Sequence, residues 1–110
     1  MVKEIIEKNL KEYLEIAQYA FSQRKFNTAV TLYYKALVEI CDLVLLQKLD
    51  MLGANHTERF DLLRNTAPEL YAAASKLFRY YRDSYSKEIS ETIARLVKQE
   101  VEYAQKLLPD

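Results

Sequence analysis

The sequence predicts an all-α protein, and we expect its helices to form an antiparallel up-and-down bundle of four to five helices. The chain has one glycine and two prolines in 110 residues, which leaves little material for tight turns. Leucine, alanine, glutamate and lysine, which are strong helix formers, are frequent instead. No segment reads as a strand, and short connections between consecutive helices favour antiparallel neighbours.

Length and composition indicate one soluble domain over residues 1–110. The 16 basic residues balance 16 acidic ones, which argues against a protein that coats nucleic acid without sequence preference but is compatible with a local basic patch. The single cysteine, Cys41, cannot form an internal disulfide and fits a reducing compartment. The charged N-terminus is unlike a signal peptide, and no apolar run approaches the ~20 residues of a membrane span. We therefore expect a cytoplasmic protein with no membrane contact.

Apolar spacing places the first two helices. The first is predicted over residues 2–23 and the second over 28–51, with Asn27 as an N-cap and Gly53 as a natural stop after it. The apolar face of the first helix is Val2, Ile5, Ile6, Leu10, Tyr13, Ala17, Ala20 and Phe21.

Three further helices are predicted over residues 57–65, 67–83 and 87–108. Asn55 with Glu58 indicates the start of the first of them, Thr66 with Glu69 forms a capping box for the second, and Ser86 starts the third.

The second helix is apolar nearly all round, apart from a narrow polar stripe that includes Lys35, Glu39 and Asp42. Such a helix is buried on several sides, which is typical of the central helix of a bundle. The other interpretation is that part of it contacts a second subunit. The candidates for a dimer interface are Val38, Leu45, Leu46 and Leu49.

The stretch AFSQRKFNTAVTLYYKAL also resembles one helix–turn–helix unit of a tetratricopeptide repeat. A solenoid needs several copies at a 34-residue period. One period further on, Leu63 and Ala67 stand where a small residue and an aromatic residue should be. The repeat therefore fails, and small residues in the first two helices indicate close helix packing instead.

Two long segments together resemble a HEPN domain, a small helical bundle often paired with minimal nucleotidyltransferases. They are RKFNTAVTLYYKALVEICDLVLLQKL, with its paired aromatics and alanines, and YYRDSYSKEISETIARLVKQEVEYAQKLL, with Arg-x-x-Tyr before a final amphipathic helix. The loop between them carries a histidine. The resemblance covers nearly the whole chain and implies a helical bundle whose partner is a nucleotidyltransferase or a nucleotide.

HEPN members that act as ribonucleases have an arginine followed a few residues later by a histidine. Arginine can hold phosphate there and histidine can transfer protons. Here residues 49–52, before His56, are LDML, and no histidine follows Arg82. The ribonuclease motif is absent, so the resemblance implies fold and partner type more than activity.

The stretch LFRYYRDSYS, residues 77–86, combines arginines with aromatics and is predicted to be mostly core with a charged rim, in which Arg82 is the best single candidate for phosphate contact. Helical spacing puts Phe78, Tyr81 and Tyr85 on the core face and lets Arg79 pair with Asp83. Arg82 lies at the border between the core face and the exposed face of this helix, where it either reaches a ligand or rests on an aromatic ring. The candidate ligand-binding or phosphate-binding residues are Arg79, Arg82 and Tyr85.

Two single residues carry further expectations. His56 has no second histidine or cysteine near it, so we expect no metal site there and assign it to a loop or cap. Glu100 falls on the apolar face of the last helix, where a buried carboxylate needs a hydrogen-bond donor.

The sequence thus favours a non-catalytic, HEPN-like interaction domain that forms a homodimer and uses no cofactor. Its partner would be a protein, with a nucleotidyltransferase as one candidate, or a nucleotide. Two alternatives stay open: a toxin-like ribonuclease with an atypical site around Arg82 and Tyr85, and a tetratricopeptide-like module that binds peptides.

Overall fold

The fold consists of helices, and the computed structural model describes residues 1–109. In chain order the helices are α1 (Val2–Ser22), α2 (Phe26–Leu49), α3 (His56–Thr66), α4 (Pro68–Asp83) and α5 (Glu91–Lys106). The predicted all-α class and the predicted number of helices are confirmed. None of these five helices is long and apolar enough to cross a membrane.

Helix α2 is the centre of the bundle, because it packs against each of the other four helices. Its side chains Tyr33, Leu37 and Ile40 are fully buried, as the nearly continuous apolar pattern predicts. Leu45 is also fully buried, with 0% of its surface exposed. The expectation that Leu45 belongs to a dimer interface is therefore wrong, since this side chain is part of the core of a single chain.

Helix α1 packs along α2 through a narrow stripe of buried residues. They are Ile6, Leu10, Leu14, Ala17 and Ala20. On α2, Ala29 and Ala36 are equally buried, and small side chains on both helices let their axes approach closely. Val2 and Ile5 were expected on this buried face, but they are 51% and 55% exposed. The buried stripe is narrower than the apolar face of α1, and these two residues lie on its flank.

Asn27 is not the N-cap of α2 but lies inside the first turn, where it holds the connection between α4 and α5. Its amide nitrogen donates to the carbonyl oxygens of Ser84, at 3.0 Å, and Lys87. Its amide oxygen accepts from the backbone N–H of Ile89 at 3.0 Å. This one side chain therefore fixes a loop that lies about sixty residues further along the chain.

Other helix ends also differ from the predicted ones. Helix α2 ends at Leu49, and the residue that stops it is Asp50, in the left-handed conformation at φ 55°, and not Gly53. Helix α4 begins at Pro68 with no side-chain cap, because Thr66 is still part of α3. Helix α5 is capped by Ser90, four residues after the predicted Ser86. The predicted cap Asn55 is confirmed, since its side chain accepts from the N–H of Glu58 at 2.9 Å.

Replacement of Tyr33 by phenylalanine is expected to leave stability unchanged or to raise it by up to about 1 kcal/mol. The hydroxyl of Tyr33 is buried without a hydrogen-bond partner among the described residues, and burial raises its pKa to about 12. The adjacent Tyr34 is the matched control, because its buried hydroxyl donates to the carbonyl of Ala74 at 2.8 Å. Tyr34→Phe should therefore cost about 1 kcal/mol. Urea unfolding of both variants compares them, and a larger loss for Tyr33→Phe would contradict this prediction.

Candidate functional site

Polar and titratable side chains gather on one side of the bundle, where α2 meets the start of α3 and the end of α4. We call this group the polar cluster; it consists of Lys35, Glu39, Asp42, His56, Arg59, Tyr81 and Tyr85. The polar stripe of α2 forms one side of the cluster. The other residues come from α3 and from the end of α4 and the turn after it, and they lie beside that stripe. Sequence analysis placed the α2 stripe on one face of a helix and Tyr81 with Tyr85 on one face of another. It did not bring these two groups together, and it did not assign Arg59 a role.

An ion pair between Asp42 and Arg59 lies at the centre of the cluster. The Arg59 Nε donates to one carboxylate oxygen of Asp42 at 2.9 Å, and Nη2 lies 3.4 Å from the other. Both side chains are only 12% exposed. A guanidinium that contacts both oxygens of a carboxylate has a fixed orientation. The pair therefore fixes the first turn of α3 against the middle of α2.

His56 is the first residue of α3, and its ring is surrounded by aromatic side chains. The nearest is Phe78, at 5.3 Å between ring centroids, and Tyr34, Phe60 and Tyr81 lie within 6.3 Å. Its Nδ1 is 3.4 Å from Nη1 of Arg59. Burial and then the positive charges of Arg59 and Lys35 lower the pKa of His56 below its usual value, and Asp42 only partly opposes them. The imidazole is therefore neutral near pH 7.

Because the pKa of His56 is lower in the folded chain than in the unfolded one, stability should fall as the pH drops below about 6.5. In that range the unfolded chain binds a proton that the folded chain does not. The loss cannot exceed about 1.4 kcal/mol per pH unit for one proton. Urea unfolding at pH 7.5, 6.5 and 5.5 tests this prediction, with His56→Gln as the control. If His56→Gln shows the same dependence on pH as the unaltered protein, another group is responsible.

Tyr81 connects the buried part of the cluster to its exposed edge. Its ring stacks on Tyr34 at 4.6 Å between centroids, and its hydroxyl lies 2.8 Å from that of Tyr85. Lys35 Nζ is 3.4 Å from the same Tyr81 hydroxyl. The lysine and the two hydroxyls therefore form a short hydrogen-bonded chain that ends in solvent at Tyr85.

Ionisable groups at the centre of the cluster are engaged with one another. Arg59 is bound to Asp42, and the Nδ1 of His56 faces Arg59. Cys41 lies next to Asp42 in the chain, but burial raises the pKa of its thiol to about 12, so it is not a nucleophile at neutral pH. A cavity of about 590 Å³ lies elsewhere, between the end of α2 and the start of α4, and is lined by Val44, Lys48 and Pro68 among others.

The three predicted phosphate-binding residues have separate partners. Arg79 donates to the hydroxyl of its neighbour Tyr80 at 2.7 Å and does not pair with Asp83, which pairs with Lys87 instead. Arg82 rests over the ring of Phe78 at 5.3 Å, as one of its two interpretations expects. Tyr85 was placed on the core face but is 65% exposed, because α4 ends at Asp83 and the chain turns away there. No hydrogen bond between described residues joins any two of the three.

The remaining dimer candidates occupy different environments. Val38 is partly buried against the core, and Leu46 is also half-buried. Leu49 is exposed at the end of α2, next to the exposed Met51 and Leu52 of the following loop. Of the four candidates, Leu49 is therefore the most accessible to a partner.

Glu100 was expected to be buried, and this is wrong, because its side chain is 28% exposed. The expectation of a hydrogen-bond donor is confirmed, and the donor is Nζ of Lys76 on α4. Lys76 and Glu100 lie on the open side of the contact between α4 and α5, beside the small side chains of Ala72, Ala73 and Ala104. Helical spacing assigned Glu100 to the apolar face, but these alanines leave that edge open to solvent.

Comparison with known proteins adds no relative: no protein-family model, no curated protein and no solved structure gives a significant match to this chain. The HEPN resemblance therefore rests on the sequence motifs alone. Among residues 1–109, no three histidine, cysteine, aspartate or glutamate side chains are grouped so as to hold a metal ion.

Proposed function

We propose that this chain is a non-catalytic helical interaction domain that binds another protein. One observation carries the proposal: exposed large apolar side chains are concentrated in two patches, whereas Arg59 and His56 are engaged by internal partners. An apolar patch on the surface of a folded chain usually marks a contact with another molecule. A bundle fixed around its central helix presents such patches rigidly, which reduces the entropy lost on binding.

The first patch, which we call the α2-end patch, consists of Leu49, Met51 and Leu52. All three side chains are exposed, although they are apolar and lie close together in the chain. The half-buried Leu46 lies one turn before Leu49 and extends the patch toward the core. The second patch lies along α1, between the buried stripe of that helix and its polar face.

The HEPN resemblance suggests which partner to test first. Domains of that family are often paired with minimal nucleotidyltransferases, so a nucleotidyltransferase encoded beside this chain is the first candidate for the α2-end patch. The net charge of zero favours a protein over a nucleic acid as the partner, because proteins that bind nucleic acids use basic surfaces to contact the phosphates.

Site-specific photo-crosslinking tests the proposal in the cells that make the protein. A photoreactive phenylalanine analogue at Met51 should give a covalent adduct of discrete mass, and the same analogue at Lys11, on the polar face of α1, should not. The captured protein, purified separately, should then bind the unaltered chain and lose at least tenfold affinity for Met51→Glu, which corresponds to about 1.4 kcal/mol. Absence of an adduct at Met51, or unchanged affinity of Met51→Glu, would contradict the proposal.

The ribonuclease alternative makes a different prediction. The purified protein is expected not to cleave RNA, because Arg82, the arginine of that alternative, rests over the ring of Phe78. Arg59, the arginine beside His56, is paired with Asp42. Structured and single-stranded RNA should stay intact with and without divalent metal. Cleavage that follows the protein through a final sizing column, and is lost in Arg82→Ala or Tyr85→Phe but not in Lys11→Ala, would favour the ribonuclease instead.

A further inference from the structure

The second patch is a row of exposed apolar side chains along α1, which we call the α1 stripe. It consists of Val2, Ile5, Ile16 and Tyr19, whose surfaces are 51%, 55%, 48% and 61% exposed. They lie on a helix of 21 residues, whose buried side chains pack against α2. The stripe is therefore a second apolar surface of the same helix, and residues 1–109 leave about half of it exposed.

The spacing of the α1 stripe is that of a coiled-coil seam. Val2 and Ile5 are three residues apart, as are Ile16 and Tyr19, and the second pair follows the first after two heptads. Asn9 and Glu12 occupy the positions between these two pairs, so that steps of three and four residues alternate from Val2 to Tyr19. Apolar residues that recur in this frame keep one face of a helix toward a partner helix. The seam thus has two apolar ends and a polar centre.

This seam is complementary to itself when two copies run antiparallel. With a two-fold axis between Leu10 and Lys11, each Ile5 lies opposite an Ile16, and each Val2 lies opposite a Tyr19. At the centre, each Asn9 lies opposite a Glu12, so an amide can donate to a carboxylate. Lys8, beside Asn9 on the exposed surface, adds a positive charge near the same carboxylate.

A parallel arrangement lacks this complementarity. It would place Glu12 opposite Glu12, and like charges in direct opposition are destabilising. A partner of purely apolar surface would leave Asn9 and Glu12 without hydrogen bonds. The central polar pair therefore selects both the partner and its direction, as a polar seam residue does in coiled coils.

We infer that α1 is the interface of a homodimer, in which two copies of this chain pair antiparallel through the α1 stripe. The inference rests on the proposed function, because a second copy of the chain is one partner of the interaction domain. The dimer contact that the sequence predicted on α2 is thereby placed on α1. Helix α1 is only about 30 Å long, so the interface is smaller than the roughly 800 Å² per partner of a standard one. The dimer should accordingly dissociate in the micromolar range.

Disulfide trapping tests the register of the dimer. In the antiparallel register the two Ile5 positions are about 16 Å apart along the axis, whereas Ile5 and the opposite Ile16 are neighbours. Ile5→Cys mixed with Ile16→Cys should therefore form a crosslinked dimer under mild oxidation, while either variant alone should not. Cys41 is fully buried, so the unaltered protein serves as the background control. Crosslinking of either single variant with itself would overturn the antiparallel register.

Sedimentation equilibrium tests the dimer itself. The unaltered protein should approach twice the chain mass at several hundred micromolar, and Ile16→Glu should raise the dissociation constant at least tenfold. Lys11→Glu, on the polar face of α1, is the matched control and should change it less than threefold. Both positions are exposed, so both variants should keep the fold. A monomeric mass at 500 µM would overturn the inference, and an adduct at Met51 would in that case still support the proposed function.

Discussion

Asp42→Ala is expected to lower the free energy of unfolding by about 3 kcal/mol, which is a large share of the stability of a small domain. The substitution removes the carboxylate that holds Arg59 and leaves the guanidinium only 12% exposed without an ionic partner. An uncompensated charge at such a site costs several times more than an exposed one. Equilibrium unfolding in urea, followed by circular dichroism, measures the loss.

The exposed pair between Asp61 and Arg64 provides a matched control. Its closest atoms are 3.9 Å apart, and both side chains are more than half exposed. Asp61→Ala should therefore cost no more than about 0.5 kcal/mol. If Asp42→Ala costs no more than Asp61→Ala, then the buried ion pair does not hold α3 to α2.

A double variant separates the value of the pair from the cost of breaking it. Asp42→Leu combined with Arg59→Met removes both charges and keeps apolar volume at the site. This double variant should lose less stability than Asp42→Ala alone, because no unpaired charge remains in the partly buried cluster. A double variant that is less stable than Asp42→Ala would mean that hydrogen bonding, and not charge compensation, holds this site.

Sequence periodicity predicted the core of α2 well, because a helix surrounded by four others is apolar on nearly every side. It failed at Val2, Ile5, Tyr85 and Glu100, all of which it placed on an inward face. Periodicity tells which residues of a helix share a face, but it does not tell how far a neighbouring helix extends over that face. Where the neighbour ends, or carries only alanines, the same face is open to solvent.

The polar cluster could be predicted only in part. Asp42 was visible as an acidic residue in the polar stripe of a nearly apolar helix. Its partner Arg59 lies 17 residues further on, beyond a loop, and no local pattern links the two. A buried carboxylate requires a donor, so the best available signal was an arginine in the first turn of the next helix. The single histidine was assigned to a loop or cap, whereas it is the first residue of that helix, and its aromatic surroundings come from α2, α3 and α4.

Gly53→Ala is expected to lower the free energy of unfolding by about 1–3 kcal/mol through crowding at the same site. A Cβ atom at Gly53 would lie 2.8 Å from both the N and the Cα of Arg59, which are backbone atoms that cannot rotate away. The conformation of Gly53 is not the reason, because its φ is not positive. Relief of the contact requires the first turn of α3 to move, and Arg59 would move away from Asp42 with it.

Two comparisons make this prediction specific. Asp50, at φ 55°, is the position in this loop whose conformation favours glycine, so Asp50→Gly should be neutral or stabilising. In the Asp42→Ala background, Gly53→Ala should cost at least 1 kcal/mol less than in the unaltered protein, since the ion pair that it disturbs is already absent. Urea unfolding of the four proteins of this cycle measures the coupling. Equal costs in both backgrounds would show that Gly53 supports the packing of α3 but does not position Arg59 for its contact with Asp42.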